Sequence, residues 1–421
     1  MKNILTILTL LIVININAQK KMTNLFTTKN NQLLDSLLQS NPALKSVLQN
    51  KVEANVQIIY TKIDRDENNI PQFTDYTYNL NKNNYFYPAS TVKMPIAFLA
   101  LEKLNELNKY GIDKNTTMLT DSNYSKQSMV FTQPTAENSN PTIANYIKQI
   151  FLVSDNDAFN RLYEFLGQEY IQKRLKKKGY SDVAIRHRLQ ISLTQEQNKA
   201  TNAISFYDTS GTVLYAQPAQ YSKATFKEPI VQLGKGYYKG NQLINEPFDF
   251  TIKNRVYLQD LHNISRSVLF NEFVPAKQRF NLTKDDYDFV LHWMSAFPKE
   301  SKYPSYNNVD YWDSYCKFLL LGSEKNAVPE NIRIFNKVGD AYGYLIDVAY
   351  IIDTKNNIEF MVSVAISCNS DGIYNDDKYD YDKIGFPFMK NVGKTLYEYE
   401  LKRERKHVPD LSKFKLTYEP Q

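Results

Sequence analysis

A serine with a lysine three residues on stands in Tyr87-Pro88-Ala89-Ser90-Thr91-Val92-Lys93-Met94-Pro95, ahead of an apolar-rich run from Ile96 to Leu107. The spacing predicts a helix opened by Ser90, with Lys93 one turn later on the same face and its amine within reach of the hydroxyl. An alcohol beside an amine that surrenders its proton is an activated nucleophile. The same letters have a plainer meaning. Serine is a favoured helix N-cap, and a lysine in the first turn needs no task. The pattern also recurs at Ser314 to Lys317 and at Ser412 to Lys415, so alone it decides nothing.

Two further segments carry chemistry. In Val153-Ser154-Asp155-Asn156-Asp157 a hydroxyl that can relay a proton (Ser154) lies two residues from an amide that can bind a carbonyl (Asn156). Ser, Asp and Asn are equally the residues that cap helices, and a helix from Ala158 to Phe165 is expected to follow. In Asn336-Lys337-Val338-Gly339-Asp340 a strand-end lysine can attract an anion, and Gly339 lets a ligand approach the backbone, so that the next N–H serves as a donor. A plain turn with Lys337 in water is the alternative.

The elements that must position these groups follow from periodicity. Leu25 to Leu48 has helical spacing, broken at Asn41-Pro42. Val56 to Ile63 and Phe73 to Leu80 read as strands, and Ile143 to Val153 as a helix. Ile204 to Tyr207 and Gly211 to Ala216 form an expected hairpin within a β-rich excursion at 204–250. Helices are expected at Val256 to Phe270 and Lys284 to Ser295. Three strands then follow, Ile332 to Val338, Tyr344 to Asp353 and Glu359 to Ser367, and a last helix from Gly385 to about Arg403. Asp371 to Lys383 reads as a solvated acidic loop without EF-hand spacing. Strands joined by short turns run antiparallel. The order implies an α+β fold: an antiparallel sheet built from both chain ends and flanked by helices, with an all-helical region inserted between.

Composition narrows the class. The 421 residues, 43% of them hydrophobic, supply a sizeable core, and a net charge of +6 is only mildly basic. No nucleic-acid-binding motif accompanies that charge. The densest basic run, Lys173 to Lys178, suits a solvated helix end before Gly179. Lys2, the apolar stretch Ile4 to Ile16 and the small-residue site at Ala18 read as a cleavable signal peptide over 1–18, implying a periplasmic or secreted protein. That stretch is too short for a stable membrane span. His187, His262, His292 and His407 lack metal-ligand spacing. Cys316 and Cys368 can either pair or stay free.

In this order, S-x-x-K, S-D-N and K-x-G on a helix, a capping loop and a strand resemble the motif set of class A β-lactamases and penicillin-binding proteins. The likeness extends from Leu25 to Leu401 and includes His292-Trp293-Met294. It implies a β-lactamase/transpeptidase-like fold and an acyl-enzyme on Ser90, with Lys93 as base and Ser154 as proton relay. It implies that Lys337 faces a substrate carboxylate and Asn156 a side-chain amide, and that the N–H groups of Ser90 and of Asp340, after Gly339, hold the oxyanion. The implied substrate is a β-lactam or a peptidoglycan-like peptide, with no cofactor. Two positions depart from the pattern. Val338 replaces the usual Thr or Ser, which removes a hydroxyl contact worth about 1–3 kcal/mol to a carboxylate. The family's deacylating glutamate has no clear counterpart: Glu196, the only acid between Gln190 and Asn202, is the candidate stand-in or else a helix-surface charge, and Ala200 stands where an asparagine is usual. Three functions stay open: a β-lactamase-type hydrolase, a D,D-carboxypeptidase-like enzyme, and a non-catalytic wall-binding protein of the same fold.

Overall fold

The computed structural model describes residues 25–28, 31–124 and 127–418; the expected signal segment lies outside them. Six strands form the central sheet: β1 (Phe26–Thr28), β2 (Gln57–Arg65), β3 (Pro71–Tyr78), β4 (Ile332–Ala341), β5 (Tyr344–Asp353) and β6 (Ile358–Ser367). Their spatial order is β1-β3-β2-β6-β5-β4. All neighbours are antiparallel except the short edge pair β1–β3. The two chain ends meet where β6 pairs with β2, Ser363 opposite Ile59. The fold is α+β, with the sheet made as the sequence implied.

Side-chain alternation explains why the C-terminal strands read as nearly unbroken apolar runs. β5 is buried along its whole length. Its Ile346, Val348, Tyr350 and Ile352 enter one core, while Leu345, Ala349 and Ile351 enter the other. A strand covered on both faces has no solvent side to mark with polar residues. One cover consists of α1 (Gln32–Ser40) and the C-terminal helix. The other is the helical region: α2 (Lys93–Glu106), α3 (Ile143–Val153), α4 (Asn156–Leu166), α5 (Leu258–Leu269) and α6 (Lys284–Ser295), with α7 (Phe386–Lys402) completing the first layer.

The pivot of the helical region is α2. Ten consecutive residues, Lys93 to Glu102, are buried, so these turns of the helix have no wet face. Each fully buried Phe98, Leu99 or Leu101 contributes about 1.5–3 kcal/mol of transfer free energy, which fixes the turn that precedes α2. The sequence placed Ser90 at a helix start; instead a 3-10 turn, Ala89–Val92, carries it, and the α-helix begins at Lys93.

A polar seam ties α5 to the sheet. His262 donates from Nδ1 to Ser363 Oγ at 2.7 Å, and its Nε2 accepts from Arg266 at 2.9 Å. Burial and the neighbouring Arg266 lower His262 to about 3, so the ring is neutral. Its task is structural.

The hairpin Ile204–Tyr207/Val213–Gln217 forms, and Thr117–Thr120 joins it as a third strand. Within the acidic loop expected to be purely solvated, Ile373–Tyr374 makes a short strand that pairs with Gly236–Lys239. Cys316 and Cys368 are both buried and free. Among the described residues no helix is long and apolar enough to cross a membrane.

Candidate active site

The Ser90 turn is held in a conformation its sequence does not favour. Ala89, immediately before Ser90, has φ of 46°, in the left-handed region that costs a non-glycine residue about 1–3 kcal/mol. Thr91 braces the turn, its N–H and its hydroxyl both donating to Pro88 O at 3.1 and 2.6 Å. Strand β4 lies directly against it. A Cβ on Gly339 would stand 2.9 Å from Pro88 O, Ser90 N and Thr91 N, so any side chain there would push the strand off the serine. The glycine expected to admit a ligand instead admits the backbone of the Ser90 turn.

Ser154 ends α3 in the left-handed conformation with φ of 60°, and Asp155 caps α4 by accepting from Ala158 N–H at 2.7 Å. This sharp passage between two helices brings Ser154 to two amines. Lys337 Nζ donates to Ser154 Oγ at 2.8 Å and to Val338 O at 2.9 Å. Lys93 Nζ lies 3.3 Å from the same Oγ, donates to Asn156 Oδ1 at 2.7 Å, and also binds Ser154 O. The helical spacing suggested that Lys93 would reach Ser90; its hydrogen bonds go to Ser154 and Asn156 instead. Alternation along β4 accounts for Lys337, which shares the face of Phe335 and Gly339, while Val338 packs in the opposite core.

Both lysines are fully buried, and no carboxylate bonds either ammonium among the described residues. Burial, with Lys337 close by, pushes Lys93 well below the usual lysine range. Burial lowers Lys337 to about 8. Two amines whose protons are loosely held thus bracket one hydroxyl.

Ser90, Ser154, Asn156, Val338 and Asp340 line one cleft of about 710 Å³. Three segments distant in the chain converge there. Sequence reasoning missed two components of this cleft. One is an aromatic wall, Tyr311, Trp312, Tyr315 and Phe386. The other is Gln190, whose Oε1 accepts from Asn156 Nδ2 at 2.7 Å and whose own φ is 59°. Neither carries a motif, although Gln190 stands at the edge of the segment searched for a glutamate.

Glu196 does not line the cleft. Thr194 and Gln197 form a capping box that folds Gln195–Lys199 into a short helix, with Glu196 outward and its side chain 64% exposed. Its carboxylate accepts from Lys199 at 2.8 Å and also from the Tyr221 hydroxyl. The proposed stand-in for a deacylating base is therefore a surface charge. The second S-x-x-K is likewise structural: buried Lys317 donates to Met294 O, Ile334 O and Asn336 Oδ1 at 2.7–2.9 Å.

An antiparallel sheet from both chain ends, a helical region between its halves, and a serine turn packed against a strand of that sheet define the β-lactamase/transpeptidase-like class of fold. Residues 40–214 match the model of the β-lactamase enzyme family. That stretch is thus similar to the family whose motifs Ser90 to Lys93 and Ser154 to Asn156 resemble. It is similar to a solved β-lactamase from Sphaerobacter thermophilus DSM 20745 at 10% identity, over 86% of this chain and 97% of that one, with a TM-score of 0.45. It is similar to a β-lactamase from Burkholderia vietnamiensis at 10% identity, over 86% and 98%, with a TM-score of 0.47. A third similar structure is PBP-A, at 15% identity over 88% and 94%, with a TM-score of 0.45. No curated protein matches the chain.

Proposed function

We propose that the protein is an exported serine hydrolase that opens a β-lactam or related amide through an acyl-enzyme on Ser90. The observation that carries this reading is the Ser154 hydroxyl, set 2.8 Å from one buried amine and 3.3 Å from another in the cleft that Ser90 lines. Neutral Lys93 takes the Ser90 proton as Oγ attacks the carbonyl carbon. The oxygen charge that develops is held by the N–H groups of Ser90 and Asp340. The carbon–nitrogen bond then breaks as Ser154 passes its proton to the leaving nitrogen and takes one from the Lys93 ammonium 3.3 Å away, which restores the neutral amine, while Lys337 keeps the hydroxyl oriented. The burial that depresses Lys93 thereby supplies the free base the first step requires.

Lys337 acts as an ammonium here, which sets the alkaline limit. With its proton lost near pH 8, acylation is expected to fall on that side with an apparent pKa of about 8. In Lys337→Arg the fall should move beyond the accessible range, because a guanidinium keeps its charge. Stopped-flow acylation by a fluorescent penicillin across pH 6–10 reads both; an unmoved alkaline limb in the arginine variant contradicts this role.

Gln190 favours a particular outcome after acylation. A neutral amide cannot take a proton from water, and Glu196, the one acid of the neighbouring segment, faces solvent, so that segment offers no base to speed release from a β-lactam. This supports a peptidoglycan D,D-carboxypeptidase-like enzyme over an efficient β-lactamase, with β-lactams as slow-release acylators. Nitrocefin separates the two: a single-turnover burst with a persistent adduct is expected, whereas sustained rapid turnover would establish the β-lactamase.

A further inference from the structure

A second cavity of about 680 Å³ adjoins the cleft, and Gln190 lines both. It lies between the loop bearing His187 and Gln190 and two short stretches, Ala224 to Glu228 and Ile252-Lys253. Its charges are matched with one exception. Arg186 pairs with Glu228 at 2.6 Å, Arg188 with Glu164 at 2.9 Å, and Lys199 with Glu196 at 2.8 Å. Buried His187 is lowered to about 4 and carries no charge. Lys253 has no carboxylate within 4 Å among the described residues. Its ammonium lies 3.4 Å from the Tyr342 hydroxyl and 5.6 Å from the Tyr342 and Phe248 ring centres.

The cleft has the opposite character. Asp155, Asp340 and Asp382 line it without an ion-pair partner, Glu324 pairs with Lys390, and no Lys or Arg lines it among the described residues; Lys93 and Lys337 are buried behind it. A half-buried, unmatched cation beside the cleft therefore attracts an anionic arm that extends out of it. Tyr342 fixes the second cavity to the reacting groups. It follows Asp340 by two residues, and its ring meets Tyr87, three residues before Ser90, at 5.0 Å and 87°.

We infer that the second cavity is a subsite for a carboxylate-bearing arm on the acyl portion of the substrate, anchored by Lys253. The assignment to the acyl portion rests on the function proposed above: the leaving nitrogen departs toward Ser154, which lines only the first cavity, so an arm that crosses Gln190 stays with the acyl group.

The test compares a penicillin whose side chain carries a second carboxylate with a parent whose side chain is uncharged, reading acylation efficiency by intact mass. Lys253→Met should slow the carboxylate penicillin about tenfold, the size of one charge-assisted hydrogen bond, and leave the parent nearly unchanged. Lys253→Arg should restore most of the loss. Equal losses for both compounds, or no change for either, would overturn the subsite. If neither penicillin acylates Ser90, the hydrolase reading fails separately. Calorimetry with N-acetylglutamate then reads the subsite by itself: binding that Lys253→Met abolishes supports it, and binding that is absent or indifferent to the substitution refutes it.

Discussion

Lys93→Met is expected to slow acylation of Ser90 by about 10²–10⁴-fold, the usual contribution of a positioned acid–base group, while the protein stays folded. The amine is fully buried beside Ser154, and burial with Lys337 close by pushes it well below the usual lysine range. Methionine keeps most of the apolar stem, so the packing of α2 is little disturbed. Two stability effects then oppose each other. Removing a buried amine relieves a desolvation penalty, but Asn156 Oδ1 and Ser154 O lose their donor. The acylation defect should therefore far exceed any change in thermal midpoint. Stopped-flow labelling with a fluorescent penicillin, alongside calorimetric unfolding, checks the pair. Acylation within tenfold of the parent would transfer the base role elsewhere.

Gln190→Glu should shorten the lifetime of a penicillin adduct by about 10²-fold or more. Its side chain already reaches Asn156 at the cleft, and glutamate differs from glutamine only in exchanging an amide for a carboxylate. The left-handed backbone of residue 190 is no harder for one than for the other. A carboxylate there can take a proton from an attacking water, which the amide cannot. A cost accompanies the gain: a negative charge near Lys93 favours its protonated form, so acylation should require a higher pH. Adduct decay followed by intact mass measures the first effect, and the pH dependence of labelling the second. An unchanged lifetime would show that water is activated by another group.

These two residues mark where the letters were informative and where they fell silent. Helices at 143–153 and 284–295 were legible because their apolar residues recur on one face, and β4 to β6 because short turns separate apolar runs. Lys93, Ser154 and Lys337 were legible through their spacing and order. That signal was imperfect, since Ser314 and Lys317 spell the same pattern yet Lys317 is spent on backbone carbonyls of α6 and β4. The Ser90 turn was misread as α-helix because nothing in an alanine announces a positive φ. Gln190 and the tyrosine wall were missed for a related reason. Their relevance comes from tertiary placement, and with 31 tyrosines along the chain no local count singles out Tyr311 or Tyr315. Glu196 drew notice only as the sole acid in its segment, and the capping box that turns it outward became meaningful once the short helix was seen.

The most direct trial of the central claim is intact-mass analysis of the parent protein and Ser90→Ala after exposure to benzylpenicillin. The parent should gain the mass of one penicillin per chain, and the alanine variant none. An equal gain in both proteins, or none in the parent, would contradict a nucleophile at Ser90.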